Sequence, residues 1–310
     1  MKGVQVPTLE ALRDGGKAAM ARALAQLERS PDAPESLALL DSAYAAPRGR
    51  VIGVTGPPGV GKSTLVGSLI GLLRGRGESV GVIAVDPSSK RSGGALLGDR
   101  VRLASDPEDT GVFVRSMAAR DKLGGLAEAT MAAMVLMRAV YDCVVIETVG
   151  VGQSETDVAG LADSVVFCVQ PGSGDSLQFM KAGIVEIPHI AVVTKADQGA
   201  AANRAVADMK GALSLAEAAE DWAVEVLAVS AQNRNGLEAL LQALDRHSAS
   251  LGEQGRLAAL RHAQAEAWLV NAVRERFGRE GLTRAGDLTL ARGESPFAAL
   301  TKIAAELFGR

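Results

Sequence analysis

The sequence predicts an α/β fold: a doubly wound, mainly parallel sheet with helical N-terminal and C-terminal extensions. Two observations carry that expectation. Apolar, β-branched runs recur at 51–55, 80–85, 112–114, 143–147, 164–170, 190–194 and 224–230, most of them near-continuous, as in strands covered on both faces. Between them lie Ala- and Leu-rich stretches with helical spacing, such as 62–73 and 126–140, and strands alternating with helices build parallel sheets.

Taken in order, 8–28 and 36–44 read as two helices, separated at Pro31 and Pro34 and closed by Pro47. The strand–helix alternation then fills 48–250, with 236–250 as its last helix. From about 252 onward only 288–290 is strand-like, and the Ala, Leu, Arg and Glu content predicts a helical appendage. Three regions follow: an N-terminal helical extension over 1–47, a core domain over 48–250, and a C-terminal helical segment over 251–310.

Hydrophobic residues make up 47% of the 310 positions, enough for a packed core and far from disordered composition. The formal net charge of −3 supplies no electrostatic footprint for nucleic acid. No apolar stretch reaches the roughly 18 uncharged residues of a membrane span, and Glu10, Arg13, Asp14 and Lys17 interrupt any signal-like run. Cys143 and Cys168 each sit inside a strand-like run, as core thiols in a reducing compartment do. The expectation is a cytoplasmic protein.

Gly56, Pro57, Pro58, Gly59, Val60, Gly61, Lys62 and Ser63 fit the spacing G-x4-G-K-[ST] between a predicted strand and a predicted helix that continues through Thr64. Glycines let successive backbone N–H groups turn toward phosphate oxygens at a positive helix terminus. Lys62 is placed to neutralise β- and γ-phosphates and Ser63 to ligate Mg²⁺.

Thr194, Lys195, Ala196 and Asp197 follow another strand, at the position where a GTPase carries N-K-x-D. A carboxylate at Asp197 accepts from guanine N1–H and the exocyclic amine. Adenine would leave it unpaired, at a cost of about 1–3 kcal/mol. Lys195 would lay its stem along the base. Ser230, Ala231 and Gln232 follow the last strand and match the S-A turn whose backbone amide meets the guanine oxygen. GTP is expected over ATP.

Three further segments carry a resemblance. They are Asp86-Pro87-Ser88-Ser89 with 93–100, the run 147–155 (Glu147-Thr148-Val149-Gly150-Val151-Gly152-Gln153-Ser154-Glu155), and Pro171 through Gln178 with Lys181-Ala182-Gly183 and Glu186-Ile187. They resemble the three switch signatures of the MeaB/ArgK/MMAA GTPases, chaperones of adenosylcobalamin-dependent acyl-CoA mutases. The resemblance covers roughly 10–250 and includes Ala21-Arg22-Ala23, Arg115-Ser116 and Gly124-Gly125. It is weaker at Ser295-Pro296-Phe297.

The resemblance implies that Asp86, Asp99 and Glu147 join Ser63 around Mg²⁺, and that the Gly150 amide senses the γ-phosphate. It places Lys62, Glu147, Gln153 and Lys181 in hydrolysis or its control. Gln153 is read equally well as a structural or partner contact, and the competing reading of Lys181 is an exposed helix lysine. A mutase partner and a homodimer built on the tail are likewise implied. Two departures stand out: Lys90-Arg91-Ser92 replaces a Pro-containing stretch, and Thr194 replaces Asn.

Other readings compete. A nickel metallochaperone needs His/Cys clusters, and His189, His247 and His262 are scattered. A signal-recognition GTPase needs a Met-rich domain that this chain lacks. A small-molecule kinase or transport ATPase needs ATP preference, against which the Asp197 motif argues.

Overall fold

The computed structural model describes residues 7–86, 108–118, 128–148, 150, 157–172, 188–215 and 222–308. Seven strands form one sheet: β1 (Arg50–Thr55), β2 (Val80–Asp86), β3 (Val112–Ala118), β4 (Cys143–Glu147), β5 (Ser164–Val169), β6 (Ile190–Val193) and β7 (Glu225–Ala228). Their order is β3-β2-β4-β1-β5-β6-β7, and every pairing is parallel. The expected fold class is therefore the observed one. β1 lies centrally, with β4 on one side and β5 on the other. The chain thus switches direction beside β1, where doubly wound sheets place their ligands.

Alternate side chains of each strand enter opposite layers. Ile52, Val54, Val145 and Val166 pack against α4 (Lys62–Gly75) and the helix Leu237–Gly252, through Leu65, Leu69, Leu241 and Leu244. Val51, Ile83, Val144 and Ile146 face the other way, against α5 (Glu128–Arg138) and the N-terminal helices, through Met134, Met137, Met20 and Leu39. Helix α6 (Ala200–Leu215) covers β5 and β6 on this second face through Ala202 and Met209. The two cysteines are buried in β4 and β5, and burial pushes both thiols up to about 12.

The N-terminal region differs from the two-helix expectation. It contains α1 (Leu9–Asp14), α2 (Gly16–Arg29) and α3 (Pro34–Ala45). The chain breaks at Gly15–Gly16, where Gly16 takes φ 61° and a Cβ on Gly15 would stand 2.5 Å from the Ala19 Cβ. Thr8 caps α1 by accepting from the Ala11 N–H at 3.2 Å, and Pro34 starts α3 without losing a bond.

After α7 (Leu237–Gly252), the tail forms α8 (Arg256–Ala285) and α9 (Pro296–Phe308), packed together through Leu269, Val273 and Leu300. Residues 288–290 are not a strand; Leu290 instead sinks into this helical cluster. Asp163 fastens the tail to the sheet: its buried carboxylate accepts from the Val51 N–H at 2.7 Å and pairs with Arg261 of α8 at 2.7 Å.

Candidate nucleotide-binding site

The carboxyl ends of β1, β4, β5 and β6 carry the site. β1 runs into the loop 56–61, in which Gly56, Gly59 and Gly61 have φ of 133°, 78° and 99°. L side chains rarely adopt such angles, and a Cβ on Gly56 would lie 2.1 Å from the Cys168 carbonyl. The loop ends at the N-terminus of α4, leaving backbone N–H groups and the helix dipole directed at one point. Lys62 is 6% exposed; its ammonium donates to the Gly56 and Pro57 carbonyls at 2.6 and 2.9 Å. Thr64 is exposed on the first turn of the helix.

β4 ends on Glu147, which is 6% exposed and accepts a 2.5 Å hydrogen bond from the Ser63 hydroxyl. The next residue anchors this strand end to β1: Thr148 donates its N–H to the Val54 carbonyl at 3.1 Å and its hydroxyl to Thr55 at 2.9 Å. Gly150, at φ 85°, closes onto the loop after β1. A Cβ there would lie 2.1 Å from the Gly56 oxygen and 2.6 Å from the Lys62 ammonium. Ser63 and Glu147 form a hard-oxygen pair of the chemistry that Mg²⁺ takes, and Mg²⁺ commonly uses one or two such groups with phosphate and water. Among the described residues, no group of three or more His, Cys, Asp and Glu side chains could hold a metal ion.

The base loop follows β6. Thr194 is buried, and its hydroxyl lies 2.6 Å from the Val60 carbonyl and 2.9 Å from that of Val169. With one proton, it donates to one of them at a time. Lys195 is left-handed, with φ 52°, and its ammonium donates to the Gly59 carbonyl at 3.2 Å and to the Gln170 amide oxygen. Asp197 is exposed and accepts from the Ser230 hydroxyl at 2.6 Å, which holds its carboxyl below the usual range. Ser230 also exchanges a bridge with Asn235, closing the turn that contains Ala231 and Gln232.

The structure thus brings the loop 56–64, Glu147, Gly150, Thr194, Lys195, Asp197 and Ser230 to one edge of the sheet. Asp86 closes β2 on the same edge. Asp99, Gln153 and Lys181 lie outside the described residues. Sequence reasoning passed over Thr148, which locks Glu147 in place, and Gln170, which holds Lys195. The signal for Gln170 was a polar residue ending the apolar run 164–170.

Residues 20–284 match a family model described as methylmalonyl Co-A mutase-associated GTPase MeaB. The chain belongs to the MeaB family of GTPases. Its relatives include GTPase ArgK of Escherichia coli K12, 36% identical over 276 residues that cover 86% of this chain and 83% of that protein. The mouse mitochondrial methylmalonic aciduria type A homolog is 37% identical over 228 residues, covering 72% of this chain and 55% of that one. A crystal structure described as LAO/AO transport system kinase aligns with a TM-score of 0.69 at 27% identity, covering 99% of this chain and 98% of that chain. This MeaB-family chain is therefore a P-loop GTPase. Among its described residues, no helix is long and apolar enough to cross a membrane.

Proposed function

We propose that this chain is a GTP-hydrolysing chaperone of an adenosylcobalamin-dependent acyl-CoA mutase of the methylmalonyl-CoA mutase type. The observation that carries the reading is the match over residues 20–284 to a family described by its association with that mutase. The site supports it, because phosphate loop, acid and base loop stand at one sheet edge.

In this reading the triphosphate sits on the N–H groups of 56–63, and Lys62 turns its ammonium from the loop carbonyls to the phosphates. Ser63 and Glu147 would hold Mg²⁺, with Asp86 and Asp99 as further oxygen donors. The ion would neutralise phosphate charge. Gly150 sits against Gly56 and Lys62, so a γ-phosphate at the loop would meet its backbone and bias the segment after it. Gln153 and Lys181 are assigned to positioning water and to control of hydrolysis.

Asp197, oriented by Ser230, reads the guanine edge, with Thr194, Lys195, Ala231 and Gln232 around the base. The GTP form engages the mutase, and hydrolysis gates loading or protection of its cofactor. By linkage, a mutase that prefers the GTP form tightens GTP binding by the same factor, typically about 1–3 kcal/mol. A cytoplasmic location and a homodimer built on α8 and α9 belong to the same proposal.

The test is hydrolysis of GTP by the purified chain with and without a methylmalonyl-CoA mutase, with ATP in parallel. Stimulation of GTP turnover alone is expected. GTP turnover indifferent to that mutase and to other acyl-CoA mutases would remove the chaperone reading. Preferential ATP use would favour a kinase or transport role, as named for the LAO/AO structure.

A further inference from the structure

Gln170 has no part in the function proposed above, yet it holds one of that site's central side chains. It directly follows β5, and its Oε1 accepts from the Lys195 ammonium. The same ammonium donates to the Gly59 carbonyl at 3.2 Å. One acceptor therefore comes from the loop after β1 and the other from the end of β5. Lys195 itself follows β6, and β1, β5 and β6 are consecutive in the sheet. The lysine head is thus a brace across three strand ends. A free lysine side chain samples many rotamers, whereas one held at its head presents its alkyl stem as a fixed surface. The left-handed backbone of Lys195, φ 52°, is rare for a residue with a side chain, and it too is held in place, by the Ala196 N–H donating to the Val229 carbonyl at 3.2 Å.

We propose that Gln170 is a positioning residue of the base site: by fixing the Lys195 ammonium, it preforms the wall on which the flat face of a purine lies. The inference deepens the proposed function and rests on its assignment of 194–197 to the guanine base. It makes a distinct prediction about selectivity. Guanine, hypoxanthine and xanthine share their ring faces and differ at their edges. Gln170 therefore sets affinity for all three alike, while Asp197 sets the choice among them.

The experiment compares the full chain with its Gln170→Leu, Gln170→Glu and Asp197→Asn variants, reading fluorescent-GDP affinity, hydrolysis of GTP, ITP and XTP, and thermal midpoint. Gln170→Leu should weaken GDP binding about tenfold, from loss of one hydrogen bond to a charged group. It should raise KM for GTP and ITP by the same factor, with kcat at saturation within twofold. Gln170→Glu puts a carboxylate oxygen where the amide oxygen was, so it should bind at least as tightly as the parent and with a steeper salt dependence.

Affinity within twofold of the parent in Gln170→Leu would overturn the proposal, as would a Gln170→Glu variant as weak as Gln170→Leu. So would a fall in kcat at unchanged KM. Should Gln170→Leu not fold, Gln170→Glu decides alone: weakened binding or an unchanged salt dependence refutes the role. Asp197→Asn tests the underlying assignment separately. If that variant keeps its preference for GTP over XTP, the base reading falls, and the Gln170 proposal with it. If the preference shifts and Gln170→Leu binds normally, only the Gln170 proposal falls.

Discussion

The Thr194 hydroxyl lies 2.6 Å from the Val60 carbonyl, so the base loop after β6 is fastened directly to the phosphate loop after β1. An asparagine is expected at this position of the motif, and the threonine supplies a shorter tether from the strand end. Its replacement by valine keeps the shape and removes the only donor of the side chain. Thr194→Val should cost about 1–3 kcal/mol, since the one hydroxyl proton that serves the Val60 and Val169 carbonyls is lost, and only Val169 keeps a second donor, the Thr194 N–H at 2.8 Å. The expected outcome is a roughly tenfold weaker affinity for both GDP and GTP, measured by titration with a fluorescent nucleotide. Unchanged affinity would show that the tether does not shape the site.

Lys62 is a buried ammonium satisfied by the carbonyls of its own loop. Lys62→Ala should abolish nucleotide binding, because no other cation of the loop 56–64 can meet the phosphates. Calorimetric titration with GTP and Mg²⁺ checks it, and parent-like affinity would refute the phosphate assignment.

Ser63 and Glu147 should set the requirement for Mg²⁺. Glu147→Gln keeps the volume and removes the charge beside the Ser63 hydroxyl. The Mg²⁺ concentration for half-maximal GTP hydrolysis should rise about tenfold or more, and chelation of Mg²⁺ should stop turnover of the parent. An unchanged Mg²⁺ dependence in the variant would place the ion elsewhere.

Arg261 and Asp163 make an ion pair with side-chain exposures of only 14% and 4%. Arg261→Ala strands the carboxylate beside the Val51 N–H at the root of the central strand. A loss of about 3–5 kcal/mol in unfolding free energy is expected, read from urea denaturation, because breaking one side of a buried pair leaves an uncompensated charge. A loss below about 1 kcal/mol would mean that solvent reaches the pair.

The rings of His189 and His247 lie 4.1 Å apart, tilted by 41° to one another, with Trp222 edge-on to His247. Burial holds His189 near 4 and His247 near 3, the latter helped by its neighbour. The His189 Nδ1 accepts from the Val165 N–H, which requires a neutral nitrogen there. Both folded values lie below the usual value near 6.5, so the contribution is fully present above pH 6.5 and drains away as pH falls toward 4 for His189 and toward 3 for His247. Stability should drop by about 2 kcal/mol for each ring between pH 7 and pH 5. Urea midpoints at the two pH values, followed by Trp222 fluorescence, provide the check. A midpoint independent of pH would show that the rings are charged or solvated in the folded chain.

The strand runs and the phosphate loop were legible because each rests on local chemistry. A parallel strand covered on both faces needs an unbroken apolar run, and a phosphate loop needs its glycines and lysine in fixed spacing, whatever surrounds them. The N-terminal break at Gly15–Gly16 was not read, because helical spacing on both sides of it suggested one helix over 8–28. The 288–290 run is apolar because Leu290 enters a helical cluster, and nothing local separates that from a strand.

By itself, then, the sequence determined the α/β class, the strand order along the chain, the phosphate loop and the base motif. The tertiary structure alone decided which strand ends stand side by side. Because β1, β5 and β6 are neighbours only in the folded sheet, a threonine 134 residues from Val60 can tether it, and a glutamine 25 residues from Lys195 can hold its ammonium. Contacts of that separation depend on sheet order, which no local pattern of residues encodes.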